Sequence, residues 1–243
     1  MTINRAVVLM IGILPLPLAP QGPATITMDE EPHHHLALKN DVVKVYEVEL
    51  QPRDSFLLHS HETDDVSIVI GDAATVNVTP GKADVLSLSK DGEVRYSLSG
   101  RVHLVRNIGQ TPYRFVAIDL LRRQTGVRNL CGAQIPNKPQ NCPAAPAPAA
   151  NASRIDQPQY ETDQTRVTLT RIRPQQTATF GDSDRDDLIV TIDESRVAGA
   201  AGKGPNKSLH PGDFVWVGHG ETAQVLNNDS EKEVRVVTVA LKP

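Results

Sequence analysis

Between residues 36 and 121 the sequence is a succession of short runs rich in Val, Ile, Thr and Tyr, separated by turn chemistry. Val42-Val43-Lys44-Val45-Tyr46-Glu47-Val48-Glu49-Leu50, bounded by Asn40-Asp41 and Pro52, predicts one strand. Further strands are expected over 55–61, 66–70, 74–78, 85–88, 94–98, 103–107 and 113–121. The breaks carry Gly71-Asp72, Pro80-Gly81, Lys90-Asp91-Gly92 and Gly109-Gln110-Thr111-Pro112, the residue types that tight turns require. No helical period interrupts them. Such a cadence leaves an antiparallel barrel or sandwich.

The block from 166 to 242 repeats the signature, with strands expected at 166–172, 177–180, 188–192, 213–216 and 234–241. Pro174 through Ile192 aligns without gaps on Pro52 through Ile70, and Ala223-Gln224-Val225-Leu226-Asn227 aligns on His103-Leu104-Val105-Arg106-Asn107. Self-similarity at this period indicates duplication of one domain. Between the blocks, Pro143-Ala144-Ala145-Pro146-Ala147-Pro148-Ala149-Ala150 reads as a semi-rigid linker. The expected organisation is a first barrel over 36–122, a linker over 123–164 and a second barrel over 165–243.

The start of the chain differs. Arg5 precedes an apolar run, 6–19, that is broken by prolines and followed by small residues. It is too short and too interrupted to span a bilayer and reads as a secretory signal over 1–24, cut after Ala19 or, better suited, after Ala24. Residues 25–32 are polar and expected to lack regular structure, and His33-His34-His35 follows as a minor source of ligands. Export fits the only two cysteines, Cys131 and Cys142, which an oxidising compartment would join across a loop. Closing that loop contributes about 3 kcal/mol in the chain-entropy view. A net charge of −4 without a basic cluster and an aromatic content of 4% argue against a nucleic-acid partner.

Chemistry concentrates in Leu58-His59-Ser60-His61-Glu62-Thr63-Asp64-Asp65. Side chains two apart on a strand share a face, so His59 and His61 would stand about 7 Å apart at Cα and converge on one ion. Asp65 keeps the same parity if the strand continues.

These residues carry a resemblance. His59-Ser60-His61, then Asp65 and Gly71, resembles the first motif of the cupin superfamily, and Gly100-Arg101-Val102-His103-Leu104-Val105-Arg106-Asn107 resembles the core of the second. Asp65 stands where the family usually has Glu, Pro52-Arg53 replaces an opening glycine, and Ser97-Leu98-Ser99-Gly100 replaces a Pro-x-Gly turn. The resemblance implies an all-β chain of two cupin-type double-stranded β-helix (jelly-roll) barrels, a bicupin with one intact site. It implies that His59, His61, Asp65 and His103 hold a divalent transition metal: iron, manganese, zinc, nickel or copper. Asp65, one methylene short, could instead orient a histidine from behind. Arg95, Tyr96 and Arg101 fall near the mouth of such a barrel, where they could receive an anionic ligand or serve as ordinary strand residues. The second block has Gly181, Ser183 and Ala223 in place of the histidines and keeps only Asp187. The implied function is metal-dependent chemistry on a small molecule, of dioxygenase, decarboxylase or isomerase type; the alternative is a non-catalytic binding or structural module. Cupins commonly dimerise through their strands, which makes a homodimer a further expectation.

Overall fold

The computed structural model describes residues 25–144, 149, 151–198, 207–227 and 231–243. The expected signal and most of the Pro/Ala run lie outside the described residues. The N-terminal unit consists of β1 (Ile26–Thr27), β2 (His34–Lys39), β3 (Val43–Leu50), β4 (His59–His61), β5 (Asp64–Ile70), β6 (Ala73–Val78), β7 (Val85–Ser89), β8 (Val94–Ser97), β9 (Arg101–Asn107) and β10 (Tyr113–Leu120). They form two facing sheets, in the orders β1-β4-β9-β6-β7 and β2-β3-β10-β5-β8.

The C-terminal unit contains β11 (Arg128–Asn129), β12 (Arg154–Glu161), β13 (Thr165–Ile172), β14 (Thr177–Phe180), β15 (Asp186–Thr191), β16 (Ser195–Ala198), β17 (Lys207–Leu209), β18 (Phe214–Val217), β19 (Ala223–Leu226) and β20 (Val234–Leu241). Its sheets run β11-β12-β13-β20-β15-β18 and β14-β19-β16-β17. Order for order this repeats the first unit: β13-β20-β15-β18 answers β3-β10-β5-β8, and β14-β19-β16-β17 answers β4-β9-β6-β7. The fold is a pair of jelly-roll units, and among the described residues no sheet closes on itself.

The duplication reaches individual hydrogen bonds. Asn107 Nδ2 donates to Leu50 O (2.9 Å) and Thr111 O (2.9 Å); Asn227 Nδ2 donates to Ile172 O (2.9 Å) and Lys232 O (2.8 Å). Where the motif's opening glycine is missing, Arg53 adopts φ +71° and its counterpart Gln175 φ +58°. The left-handed turn therefore persists without glycine, at some cost in strain.

The β2-β3-β10-β5-β8 sheet of the first unit and the β11-β12-β13-β20-β15-β18 sheet of the second pack back to back. Val43, Val45, Val66, Ile68, Ile70, Val116, Ile118 and Leu120 of the first meet Val167, Leu188, Val190, Val237, Val239 and Leu241 of the second in one buried cluster. A sheet buried on both faces needs apolar residues on both, which is why β5 and β10 read as nearly continuous hydrophobic runs. Arg235 adds an ion pair across the junction, bonding Asp193 and Asp91 at 2.6 Å each.

Two segments differ from expectation. Residues 154–161, assigned above to the linker, form β12, which pairs with β13 through a bulge at Pro158/Tyr160. Its polar composition hid it; Pro158 is tolerated because it sits at the bulge. Residues 25–32 are also ordered. Here β1 pairs in parallel with β4, Ile26 opposite His59, and a 3-10 turn, Met28–Glu30, buries Met28 in the N-terminal barrel.

Candidate metal centre

The antiparallel pairing of β4 and β9 sets His59 directly opposite His103, and strand parity places His61 on the same inward face. All three are buried. Nε2 of His61 lies 3.1 Å from Nε2 of His59 and 3.0 Å from Nε2 of His103. Two ligand nitrogens about 2.1 Å from one ion and about 90° apart are separated by about 3.0 Å; a tetrahedral angle would give about 3.4 Å. These two separations fit neighbouring ligands of an octahedral ion.

The opposite ring nitrogens explain why these rings turn Nε2 inward. Nδ1 of His59 donates to Leu57 O (2.8 Å), and Nδ1 of His103 meets the Asn77 amide, with Nδ2 at 3.1 Å and Oδ1 at 3.3 Å. Nδ1 of His61 touches Asp65 Oδ2 at 3.3 Å. With Nδ1 carrying the proton, each Nε2 offers a bare lone pair. Burial lowers His59 to about pKa 4 and His103 to about 2, and also lowers His61, so none is protonated at neutral pH. Three lone pairs 3 Å apart repel one another unless a cation lies between them. The donor set fits a divalent ion.

Asp65, the expected fourth ligand, is not in this trio: the group whose ligand atoms converge is His59, His61 and His103. Its carboxylate is bonded by Arg101 and lies behind His61, on the Nδ1 side. Burial alone would raise the Asp65 carboxyl, but Arg101 and His61 hold it below the usual range, so it stays charged. This is the orienting position. Arg101 stands between the inner chamber and the outer surface, its Nε also bonding Leu98 O (3.0 Å). Arg95 faces the chamber but is engaged by Glu93, Ser87 and Ser89. Tyr96 points the other way, into the junction between units, where its hydroxyl donates to Asp64 (2.7 Å) and its ring meets Tyr160.

The trio opens into a chamber of about 130 Å³ whose walls include Met28, His34, Phe56, Asn77, Arg95, Arg101 and Phe115. That is well below the ~300 Å³ at which drug-sized ligand pockets begin. Past Arg101 it meets a groove of about 640 Å³ whose far wall, Ala133 to Asn137, belongs to the loop closed by the Cys131–Cys142 disulfide. The loop is thus a wall rather than part of a slack linker. The sequence reading missed Glu31 and left His34 as one of a triplet; both are buried, and His34 lines the chamber. Only the His triplet signalled them, and parity could not say which histidine turns inward.

Among the described residues, the second unit offers no counterpart. Phe180, Ala178, Ala223 and Val225 fill its interior, and a Cβ added at Gly181 would lie 2.3 Å from Glu221 O. The backbone itself closes the position that His59 occupies in the first.

No protein-family model matches the chain, and no curated protein matches it. Solved structures do. Salicylate 1,2-dioxygenase from Pseudaminobacter salicylatoxidans superposes with a TM-score of 0.54 at 12% identity, covering 82% of this chain and 71% of that one. A cupin 2 conserved barrel domain protein from Leptotrichia buccalis gives 0.53 at 7% identity, covering 85% and 87%. An oxalate decarboxylase gives 0.51 at 11% identity, covering 90% and 78%. At such identities the likeness is one of fold, and the fold of this chain is that of the cupins.

Proposed function

We propose that the chain binds one divalent transition ion (iron, manganese, zinc, nickel or copper) through His59, His61 and His103, and acts through it on a small molecule held in the N-terminal barrel. The observation that carries this reading is the convergence of three buried, neutral imidazoles with Nε2 separations of 3.0–3.1 Å. Such an ion supplies Lewis acidity, or redox chemistry if it is iron, manganese or copper. The protein's part is positional. Leu57 O, Asp65 and Asn77 fix the ring orientations, Arg101 keeps Asp65 ionised, and the aromatic walls exclude bulk water. The neighbours named as a dioxygenase and a decarboxylase support an oxygenase- or decarboxylase-type reaction. The disulfide and the apolar run at 6–19 support an exported protein. No helix among the described residues is long and apolar enough to cross a membrane.

The test is elemental analysis of protein purified without added metal, beside the His59→Ala/His61→Ala double variant. Near-stoichiometric metal in the parent and background in the variant is expected; metal that the variant retains overturns the assignment. Oxygen uptake with small phenols and diketones, and carbon dioxide release from small diacids, then separate the reaction types. Metal without turnover in either screen would make the chain a binding module.

A further inference from the structure

A second histidine system adjoins the trio. Glu31 is almost completely buried, and its carboxylate accepts from His33 N (2.9 Å), His33 Nδ1 (3.1 Å), Leu57 N (3.1 Å) and His34 Nδ1 (2.7 Å). His34 is buried as well, with its ring centroid 4.9 Å from that of Phe56 and 5.1 Å from that of His59. It lines the chamber, yet its atoms lie outside the converging trio. A histidine that served packing alone would have both ring nitrogens satisfied. Among the described residues, Nε2 of His34 has no hydrogen-bond partner, while Nδ1 is committed to Glu31.

The chemistry of that arrangement is directional. An ionised carboxylate only accepts, so Glu31 holds the hydrogen on Nδ1, and in the neutral ring Nε2 is then a lone pair. The other charged groups on the chamber wall are Asp65, already bonded by Arg101, and the donors Arg95 and Arg101. Around His34 the wall is apolar, made by Met28, Phe56 and Phe115.

We propose that His34, held by Glu31, contacts the ligand through Nε2 as a hydrogen-bond acceptor, and that the chamber selects small molecules presenting an O–H or N–H group on an apolar or aromatic flank. The proposal rests on the barrel being the ligand site, and its test is separable from that of the metal. A ligand without the donor group leaves Nε2 buried and unpaired, which costs affinity for reasons independent of size.

Phenol and anisole serve as probes, since they share the ring and differ by replacement of O–H with O–CH3. Calorimetric titration of the protein as purified is expected to show phenol binding at least tenfold more tightly. In His34→Phe the ratio falls to about one with metal content unchanged, and in Glu31→Gln it shrinks because the tautomer is no longer fixed. Nitrogen-15 spectra of the histidine-labelled, chelated parent chain provide a readout that needs no variant: Nδ1 of His34 protonated and Nε2 bare. A preference for phenol that survives in His34→Phe, equal or absent binding of both probes by the parent, or a proton on Nε2 overturns the proposal. Background metal in the parent with the phenol preference intact overturns the metal assignment instead.

Discussion

Asn107 and Asn227 tie down equivalent carbonyls in two units whose interiors otherwise diverge. Around Asn107 the barrel is hollow and lined by histidines; around Asn227 it is packed with Phe180, Ile189, Val225 and Val236. The carboxylates Asp65 and Asp187 make the same point. Both are buried, and both have an arginine partner. Asp65 is held below the ordinary carboxyl range by Arg101 and His61, whereas burial raises Asp187 despite Arg185. Asp187 accepts from Gly181 N (3.2 Å), so it closes a turn where Asp65 steers a ring. In this duplication the groups that shape the strands are shared, and those that shape a ligand cavity are confined to one copy.

That comparison can be broken most forcefully at the clamps. Asn107→Ala and Asn227→Ala each strand one buried and one part-buried carbonyl and should each cost about 2 kcal/mol in denaturant unfolding. A large asymmetry between them would show that the clamps are not equivalent. Only Asn107→Ala should also reduce metal content, because it loosens β9 beneath His103. The arginines should differ. Arg101→Ala leaves Asp65 buried without its cation, to be protonated or held charged and unpaired, and should cost about 2 kcal/mol. Arg185→Ala should cost under about 1 kcal/mol, since Arg185 is substantially exposed and Asp187 tolerates protonation.

Asp119 gives a subtler contrast, since its counterpart in the β20 pairing is Ala240. Burial, then the neighbouring Asp65, raises its carboxyl to about pKa 7. Between about pH 4 and 7 the folded state therefore holds a proton that the unfolded chain releases, and stability falls as pH rises through that window. Asp119→Asn should be more stable than the parent at pH 8 by on the order of 1–2 kcal/mol and show no such gain at pH 4. A pH-independent difference would remove burial of the charge as its cause. Tyr160→Phe should cost about 1 kcal/mol by thermal unfolding, with metal content unchanged.

Much of this architecture was legible in the chain because β-branched runs and turn residues agree with the pleat and the connections. The back-to-back sheets could also be inferred once Val66-Ile68-Ile70 and Val116-Ile118-Leu120 were seen to supply a second apolar face. The trio was readable from parity and from the His103–Asn107 spacing. What resisted was held by tertiary contact. The polar groups of residues 25–35 are spent on one another and on Leu57 N, and β12 shows no alternation because only the two-residue β11 covers its outer side. Asp65 has the sequence position of a ligand; only the placement of Arg101 beside it reveals the orienting role.

Tyr160 belongs to the unit without histidines, yet its hydroxyl donates to Val94 O of the other unit and to Ala133 O of the disulfide loop. A Cβ on Gly132 would fall 2.1 Å from the Tyr160 ring, so the loop is seated over this phenol with no slack. The frame of the entrance is thus bolted from the far side of the molecule. Substitutions deep in the C-terminal unit can therefore alter which molecules reach the chamber while leaving its walls and its histidines untouched.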